Sequence, residues 1–220
     1  MSGKREIKAL LFDLDGTLAD TDPLHMGIWI EALRPYGFAA DEEFYQQRIS
    51  GRLNPDIVAE LLPDLSRREG TEFLEAKERR FRELSGELPP LPGLRAFLCA
   101  TESLPRAVVT NAPGENARAM LRSLQLSGDF AEVVLAEEVR AGKPDPAPYA
   151  AALGRLSVAA GEAVAFEDSP SGIRSAVAAG VPTVGLTTTH RPDVLISAGA
   201  ALTRPDFTDL TLAELERALP

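Results

Sequence analysis

Two aspartates stand two positions apart at the end of a short apolar run near the start of the sequence. The run covers residues 7–12, and Asp13-Leu14-Asp15-Gly16-Thr17 follows it directly. Side chains two apart in an extended segment point the same way, so Asp13 and Asp15 can share a site while Leu14 turns back into the core. Two carboxylates so close repel each other and need a bound hard cation such as Mg²⁺, a phosphate to attack or a shared proton. The pair therefore predicts a chemical site.

Further polar residues follow two later apolar segments. Thr110 and Asn111 come after one of them, and Glu167 and Asp168 end the other. Open α/β sheets bind ligands at the carboxyl ends of their strands, so these residues are expected at the same edge as the aspartates. The Thr110 hydroxyl and nearby backbone N–H groups could hold a phosphate. The two adjacent acids could complete a Mg²⁺ site, because that ion prefers oxygen ligands.

One lysine is placed to balance these acids. Lys143 lies in the stiff segment Gly142-Lys143-Pro144-Asp145-Pro146. Four acids and a phosphate dianion at one site require such a point charge.

The elements that must position these residues read as a doubly wound α/β fold. Continuous apolar runs are typical of parallel strands covered on both faces, and helical segments separate the later ones. The runs are Ala9–Phe12, Ala107–Val109, Val133–Leu135, Ala163–Phe166 and Thr183–Leu186. Three helix starts are predicted where a capping residue precedes proline, at Asp22, Asp145 and Ser169.

A helical insertion separates the first two apolar runs. The connection is far longer than one crossover helix needs, and residues 69–84 carry an apolar stripe between charges. We therefore expect an all-helical cap domain at residues 19–89, inserted in a Rossmann-like parallel-sheet core made of residues 1–18 and 90–220.

Composition limits the partners. The chain has 220 residues and a net charge of -10, which argues against nucleic-acid and anionic-membrane binding. No run of about 20 apolar residues is present, as a membrane span would need. The single cysteine, Cys99, is expected in the core and asks for no oxidising compartment. We predict a cytoplasmic, monomeric protein that acts on a small molecule.

In order and spacing, the motifs Asp13-Leu14-Asp15-Gly16-Thr17, Thr110, Lys143-Pro144 and Glu167-Asp168 resemble those of the haloacid dehalogenase superfamily, in its subgroup with a helical cap. The resemblance implies that Asp13 attacks phosphorus to form an aspartyl phosphate. Asp15 would protonate the departing oxygen and then activate water.

The resemblance also implies the binding groups. Mg²⁺ would be bound by the side chains of Asp13 and Asp168 and by the backbone carbonyl of Asp15. Glu167 would be a further ligand or would contact one of the ligands. Thr110, Asn111 and Lys143 would hold the phosphate. Dehalogenases of the superfamily lack an acid at the position of Asp15, so this residue favours phosphoryl transfer.

The cap sequence is similar to those of sugar-phosphate phosphatases and, less closely, of β-phosphoglucomutase. The residues that suggest contact with substrate are His25, Trp29, Gly51, Arg52, Asn54 and Lys77. Mutases carry an arginine at the place of Asn54, where it grips a second phosphate, and Asn54 has no charge to do so. His25 and Trp29 could equally be packing residues, and Arg52 a solvated charge.

Three functions remain open at this point. A Mg²⁺-dependent phosphatase for sugar or polyol monophosphates is the leading hypothesis, and a phosphosugar mutase that uses the same aspartyl phosphate is the alternative. A receiver-type signalling module also combines an α/β sheet with a phospho-accepting aspartate, but it should lack the cap and Asp15. The segment Thr187–His190, which follows the last predicted strand, receives no role.

Overall fold

A parallel β-sheet forms the centre of the fold. The computed structural model describes residues 6–50, 52 and 54–219, and within them the strands are β1 (Ala9–Phe12), β2 (Arg106–Thr110), β3 (Glu132–Leu135), β4 (Ala163–Glu167), β5 (Thr183–Leu186) and β6 (Leu202–Arg204). They lie in the order β3-β2-β1-β4-β5-β6, and every pairing is parallel. The order reverses beside β1, which places the switch point of the sheet next to the aspartates.

Both faces of the sheet are buried, which explains the continuous apolar runs. Leu11 of β1 lies in a core cluster with helix residues such as Tyr149. Its neighbour Phe12 points to the other face, where its ring stacks on Phe166 with centroids 4.8 Å apart. The five predicted strands are confirmed. The short edge strand β6 was missed, because its three residues are only half-buried and show no continuous apolar run.

Helices surround the sheet and form the insertion. In the described residues they are α1 (Asp22–Leu33), α2 (Glu42–Arg48), α3 (Asn54–Leu61), α4 (Arg67–Leu84), α5 (Leu94–Ala100), α6 (Gly114–Ser123), α7 (Ala147–Leu156), α8 (Pro170–Ala178), α9 (Pro192–Ala198) and α10 (Leu212–Ala218). The chain divides into two compact units: the cap unit, Thr21–Glu87, and the sheet unit on both sides of it in the sequence. The doubly wound fold class with a helical insertion is confirmed.

The cap unit has a core of its own. Trp29, Leu33 and Tyr45 lie in one buried cluster with residues of α3, and Phe73 and Leu74 of α4 pack against it. A capping box fixes the start of α4, where the Ser66 side chain accepts the backbone N–H of Glu69. No helix in the described residues is both long enough and apolar enough to cross a membrane.

The predicted helix starts differ in outcome. Ser169 caps α8 and accepts the N–H of Gly172, as expected. Asp145 lies one residue too early, since Pro146 is the N-cap of α7, although the Asp145 carboxylate still accepts the N–H of Ala147. The helix start predicted at Asp22 is confirmed, but Asp22 is not the N-cap.

Asp22 is already inside α1, after the N-cap Thr21, and its carboxylate accepts a hydrogen bond from the Tyr45 hydroxyl.

Cys99 is exposed, so the prediction that it lies in the core was wrong. The buried residues of α5 are Leu94, Phe97 and Leu98, and Cys99 lies off that face of the helix.

Candidate active site

The carboxyl ends of β1, β2 and β4 bring the motif residues to one edge of the sheet. Asp13 follows β1, and its backbone N–H donates to the Phe166 carbonyl at 3.0 Å. Thr110 ends β2 and Glu167 ends β4, the two strands that pair with β1. Parallel register therefore places these residues side by side, as the sequence predicted.

Lys143 lies between two buried carboxylates. Its Nζ is 2.5 Å from Asp13 Oδ1 and 2.5 Å from Glu167 Oε1. The same ammonium lies 5.3 Å from the ring centroid of Tyr149, whose hydroxyl donates to Glu167 Oε1 at 2.8 Å. These two charge-assisted hydrogen bonds hold both Asp13, the candidate nucleophile, and Glu167 in place.

Asn111 holds the backbone on which Lys143 sits. Its side-chain Oδ1 accepts the Lys143 N–H at 2.9 Å, and its Nδ2 donates to the Lys143 carbonyl at 3.1 Å. The peptide bond from Lys143 to Pro144 is cis. Both ends of the Asn111 amide thus hold the lysine segment, and phosphate binding by Asn111 stays a prediction.

Thr110 and Asp15 occupy the positions that the sequence suggested. Thr110 is buried, and its hydroxyl oxygen accepts the N–H of Ala112 at 2.9 Å, which leaves its proton available to a ligand. Asp15 is half-buried just after β1 and forms an isolated bridge with Ala19. Leu14, between the two aspartates, is fully buried.

Three acids lie close enough together to bind one metal ion. Asp13, Glu167 and Asp168, here called the core acid cluster, each offer an oxygen within 4.8 Å of the others, and all three are buried. Burial raises the pKa of Asp13 to about 8, with the negative charges of Glu167 and Asp15 adding to it and Lys143 opposing it. Burial and the charge of Asp13 also raise the pKa of Asp168.

Lys143 cannot neutralise this cluster alone. Burial would lower the lysine's pKa, but the charges of Asp13 and Glu167 raise it overall, so the ammonium stays charged. When all three acids are ionised, as metal ligands must be, one positive charge faces three negative ones. The oxygen donors and the surplus negative charge fit a hard divalent cation.

Two glycines allow the carboxylates to approach the backbone. Gly16 has a φ of 73°, and a Cβ there would overlap the Asp168 carboxylate. A Cβ at Gly172 would overlap the Glu167 carboxylate. The glycine in the first motif therefore has a steric role in the site as well as a conformational one.

The segment after β5 also contacts the site, which the sequence pattern did not predict. The Thr188 hydroxyl donates to the Gly16 carbonyl at 2.5 Å, and the Thr189 hydroxyl lies 2.5 Å from Asp168 Oδ2. His190 Nδ1 lies 2.8 Å from the Thr189 hydroxyl. The rule that ligand-binding residues follow strand ends could have identified these side chains, because β5 is adjacent to β4 in the sheet.

The cap residues form a separate group inside the cap unit. Lys77 Nζ contacts Glu78 Oε1 at 2.9 Å and His25 Nδ1 at 3.3 Å, and Asn54 Nδ2 donates to the same glutamate oxygen at 2.7 Å. We call these four residues the cap cluster. The His25 ring stacks on Phe81 with centroids 4.4 Å apart.

The other suggested cap residues lie elsewhere. Trp29 is in the cap core, with its ring 5.6 Å from Lys77 Nζ. Arg52 is exposed and pairs with Glu60 at 2.6 Å. Gly51 lies outside the described residues. Substrate contact by any of them stays a prediction.

Comparison with known proteins places these features in a family. The "phosphorylated carbohydrates phosphatase" of Thermotoga maritima is 33% identical over 210 residues, covering 91% of this chain and 95% of that protein. The β-phosphoglucomutase of Bacillus subtilis is 28% identical over 189 residues, covering 82% of this chain and 83% of that protein.

A solved structure agrees with the sequence relatives. CbbY of Rhodobacter sphaeroides in complex with phosphate aligns with a TM-score of 0.82 and 30% identity, covering 96% of this chain and 99% of that chain. The model of the haloacid dehalogenase-like hydrolases matches residues 7–180. That match spans most of the chain, and this protein belongs to the haloacid dehalogenase-like hydrolase family.

Proposed function

We propose that this hydrolase is a Mg²⁺-dependent phosphatase that acts on monophosphates of sugars or polyols through an aspartyl phosphate on Asp13. The observation that carries the proposal is the position of Asp13. Its carboxylate belongs to the core acid cluster and is held 2.5 Å from the ammonium of Lys143. Such a carboxylate is oriented for attack, and the fixed cation offsets the charge that the phosphate brings.

The proposed reaction has two steps. A carboxylate oxygen of Asp13 attacks phosphorus and the ester P–O bond breaks, while Asp15 gives its proton to the departing alkoxide. Water then attacks the phosphorus of the acyl phosphate, Asp15 takes back a proton, and inorganic phosphate leaves. Thr110 and Lys143 are proposed to hold the phosphate oxygens through both steps. Phosphatase-named relatives support this reaction class.

The metal would be held by the side chains of Asp13 and Asp168 and the backbone carbonyl of Asp15, with Glu167 nearby. Bound Mg²⁺ supplies electrostatic stabilisation of the charge on the transferred phosphoryl group. Carboxylate and carbonyl oxygens in a surplus of negative charge favour Mg²⁺ over softer metals that prefer nitrogen or sulfur ligands.

The cap cluster is proposed to select the leaving group. Lys77 and Glu78 carry opposite charges, so the cluster is close to neutral and suits hydroxyl groups better than a second phosphate. Asn54 donates to Glu78, and Arg52 pairs with Glu60. Neither residue therefore takes the place of the arginine with which a mutase binds a second phosphate. Hydrolysis is therefore favoured over mutase chemistry.

A phosphate-release assay tests the proposal. The protein with Mg²⁺ is given hexose, hexitol and nucleotide monophosphates, and we expect release from the first two classes. Asp13→Asn should reduce the rate by about 10³-fold or more. The matched control is Asp193→Asn, the same change in an exposed carboxylate that pairs with Arg191 at 3.0 Å.

Two outcomes would count against the proposal. Isomerised sugar phosphate with little free phosphate, after addition of a hexose bisphosphate, would support the mutase alternative. Full activity of Asp13→Asn would exclude Asp13 as the nucleophile. The receiver-type alternative has lost its support, because residues 7–180 match a family of hydrolases.

A further inference from the structure

We infer that Thr189, aligned by His190, is a positioning residue for the carboxylate of Asp168 in the metal site. This inference rests on the proposed function, because Asp168 matters here as a metal ligand. Thr189 and His190 follow β5, outside the motifs that identify the family.

Four distances define the contact. Thr189 Oγ1 lies 2.5 Å from Asp168 Oδ2, 3.1 Å from the Asp168 backbone carbonyl and 2.8 Å from His190 Nδ1. His190 Nδ1 also lies 3.2 Å from the backbone carbonyl of Asp168. Both side chains therefore converge on the same residue of the core acid cluster.

Proton counting gives the contact a direction. A hydroxyl has one proton to donate, and a metal-binding carboxylate is ionised and can only accept. Of the two Asp168 oxygens within reach, Oδ2 is the nearer and carries the charge, so the Thr189 hydroxyl donates to Oδ2 and accepts from His190 Nδ1–H. The same N–H faces the Asp168 carbonyl, which also needs a donor. The arrangement therefore calls for a proton on His190 Nδ1.

This bond determines which oxygen of Asp168 remains for a ligand. Oδ2 lies against Gly16, where a Cβ would overlap it, and accepts the Thr189 hydroxyl. Oδ1 is then the oxygen available to a metal. Groups behind a metal ligand commonly fix its orientation in this way, and their loss weakens metal binding.

The neighbouring residue ties the segment to the first motif. The Thr188 hydroxyl donates to the backbone carbonyl of Gly16 at 2.5 Å. Gly16 directly follows Asp15 in the sequence. The segment after β5 thus contacts both the loop that carries Asp13 and Asp15 and the metal-site residue Asp168. A shift of Thr189 would move Asp168 relative to Asp13.

Calorimetric titration of the full chain with Mg²⁺, without substrate, tests the inference. Thr189→Val keeps the shape of the side chain and removes the donor, so we expect Mg²⁺ binding to weaken about 10- to 100-fold. Thr189→Ser keeps the hydroxyl and should remain within about threefold of wild type. Thr187→Val is the control, because at Thr187 it is the backbone N–H that is bonded, to Arg204.

His190 provides a second arm. His190→Ala removes the aligning donor and should weaken Mg²⁺ binding about three- to tenfold, the effect of one hydrogen bond. His190→Asn places an amide N–H near the position of Nδ1 and should restore most of the loss. Rescue by the serine and asparagine variants would not follow from a general packing role.

The outcomes separate this inference from the proposed function. If wild type binds Mg²⁺ and Thr189→Val binds it equally well, the inference fails and the metal site stands. Equal weakening in Thr189→Ser and Thr189→Val would also overturn it, since the hydroxyl would then be irrelevant. A wild-type chain that binds no Mg²⁺ overturns the metal site and the inference together.

Discussion

Two buried lysines, Lys143 in the sheet unit and Lys77 in the cap unit, have similar surroundings and different charge balances. Each ammonium lies near an aromatic ring, 5.3 Å from the centroid of Tyr149 and 5.6 Å from that of Trp29. Each also contacts a carboxylate within hydrogen-bond distance. Burial beside a ring and an acid is therefore common to both sites and does not by itself distinguish their functions.

The number of acids separates them. Lys143 faces the three acids of the core acid cluster, so negative charge is left over for a cation once these acids are ionised. In the cap cluster, Lys77 faces the single carboxylate of Glu78, which leaves no surplus. The comparison supports the proposal that the core acid cluster binds a metal beside the phosphate and that the cap cluster contacts neutral polar groups.

Removing the core lysine is the strongest way to test this contrast. Lys143→Met leaves Asp13 and Glu167 buried without their cation, so we expect the free energy of unfolding to fall by about 3–5 kcal/mol. Where the variant still folds, kcat should fall about 10²- to 10³-fold, because a preorganised charge is lost. Chemical denaturation and phosphate release measure the two effects.

The control keeps the distance and changes the burial. Lys8 pairs with Glu162 at the same 2.5 Å separation, but both side chains are exposed. Exposed pairs contribute little, so Lys8→Met should leave kcat unchanged. A Lys143→Met variant as active as Lys8→Met would contradict the charge balance described for the core.

The raised pKa of Asp13 gives a second test. Burial raises this pKa from 3.8 to about 8, so the metal-free folded chain holds a proton that the unfolded chain releases above pH 4. Stability from this group is present at low pH and declines as pH rises towards 8. Mg²⁺ must displace that proton, so its affinity should fall at least about tenfold for each unit of pH lowered below 8, and more where Asp168 is also protonated.

Proton release can be measured directly. Titration with Mg²⁺ at pH 7 in two buffers of different ionisation enthalpy should report the release of about one proton or more, from Asp13 and from Asp168, whose pKa is also raised. Asp13→Asn has no proton to release there and should show a correspondingly smaller slope of affinity with pH. An affinity independent of pH between 6 and 8 would mean that the core acids carry no such proton.

The core and the cap also differ in how far the sequence could predict them. Asp13, Lys143 and Glu167 follow strand ends or stiff loops, and parallel pairing determines where strand ends meet. Their neighbourhood could thus be predicted from local pattern. The pairing of Thr189 with Asp168 could not, because a bond between two loops depends on packing that has no periodic signature.

The cap was harder for a physical reason. Glu78 was not singled out, since a glutamate in a helix rich in charge looks like a solvated residue. Its burial depends on how α4 packs in the cap unit, where it meets Lys77 and Asn54. The exposed position of Cys99 has a similar origin, because a one-residue change on a helix moves a side chain from the core to the surface.

The smallest expected effect concerns the balance of charge in the cap cluster. Glu78→Gln keeps the shape of the side chain and an oxygen for Asn54, but it leaves the charge of Lys77 without an opposing acid. If the cap cluster contacts the leaving group, KM for a hexose bisphosphate should fall about fivefold, a change of about 1 kcal/mol. KM for a hexitol monophosphate should stay within about twofold, because hydroxyl groups gain little from the added charge.

The matched control is Glu60→Gln, the same substitution at an exposed acid that pairs with Arg48 and Arg52. It frees two arginines but should change neither KM, since exposed charges are screened by solvent and salt. An equal response to both substitutions would indicate a general electrostatic effect of net charge. A Glu78→Gln variant with unchanged KM values would mean that Lys77 only stabilises the cap unit. Of the two buried lysines, Lys143 alone would then take part in the reaction.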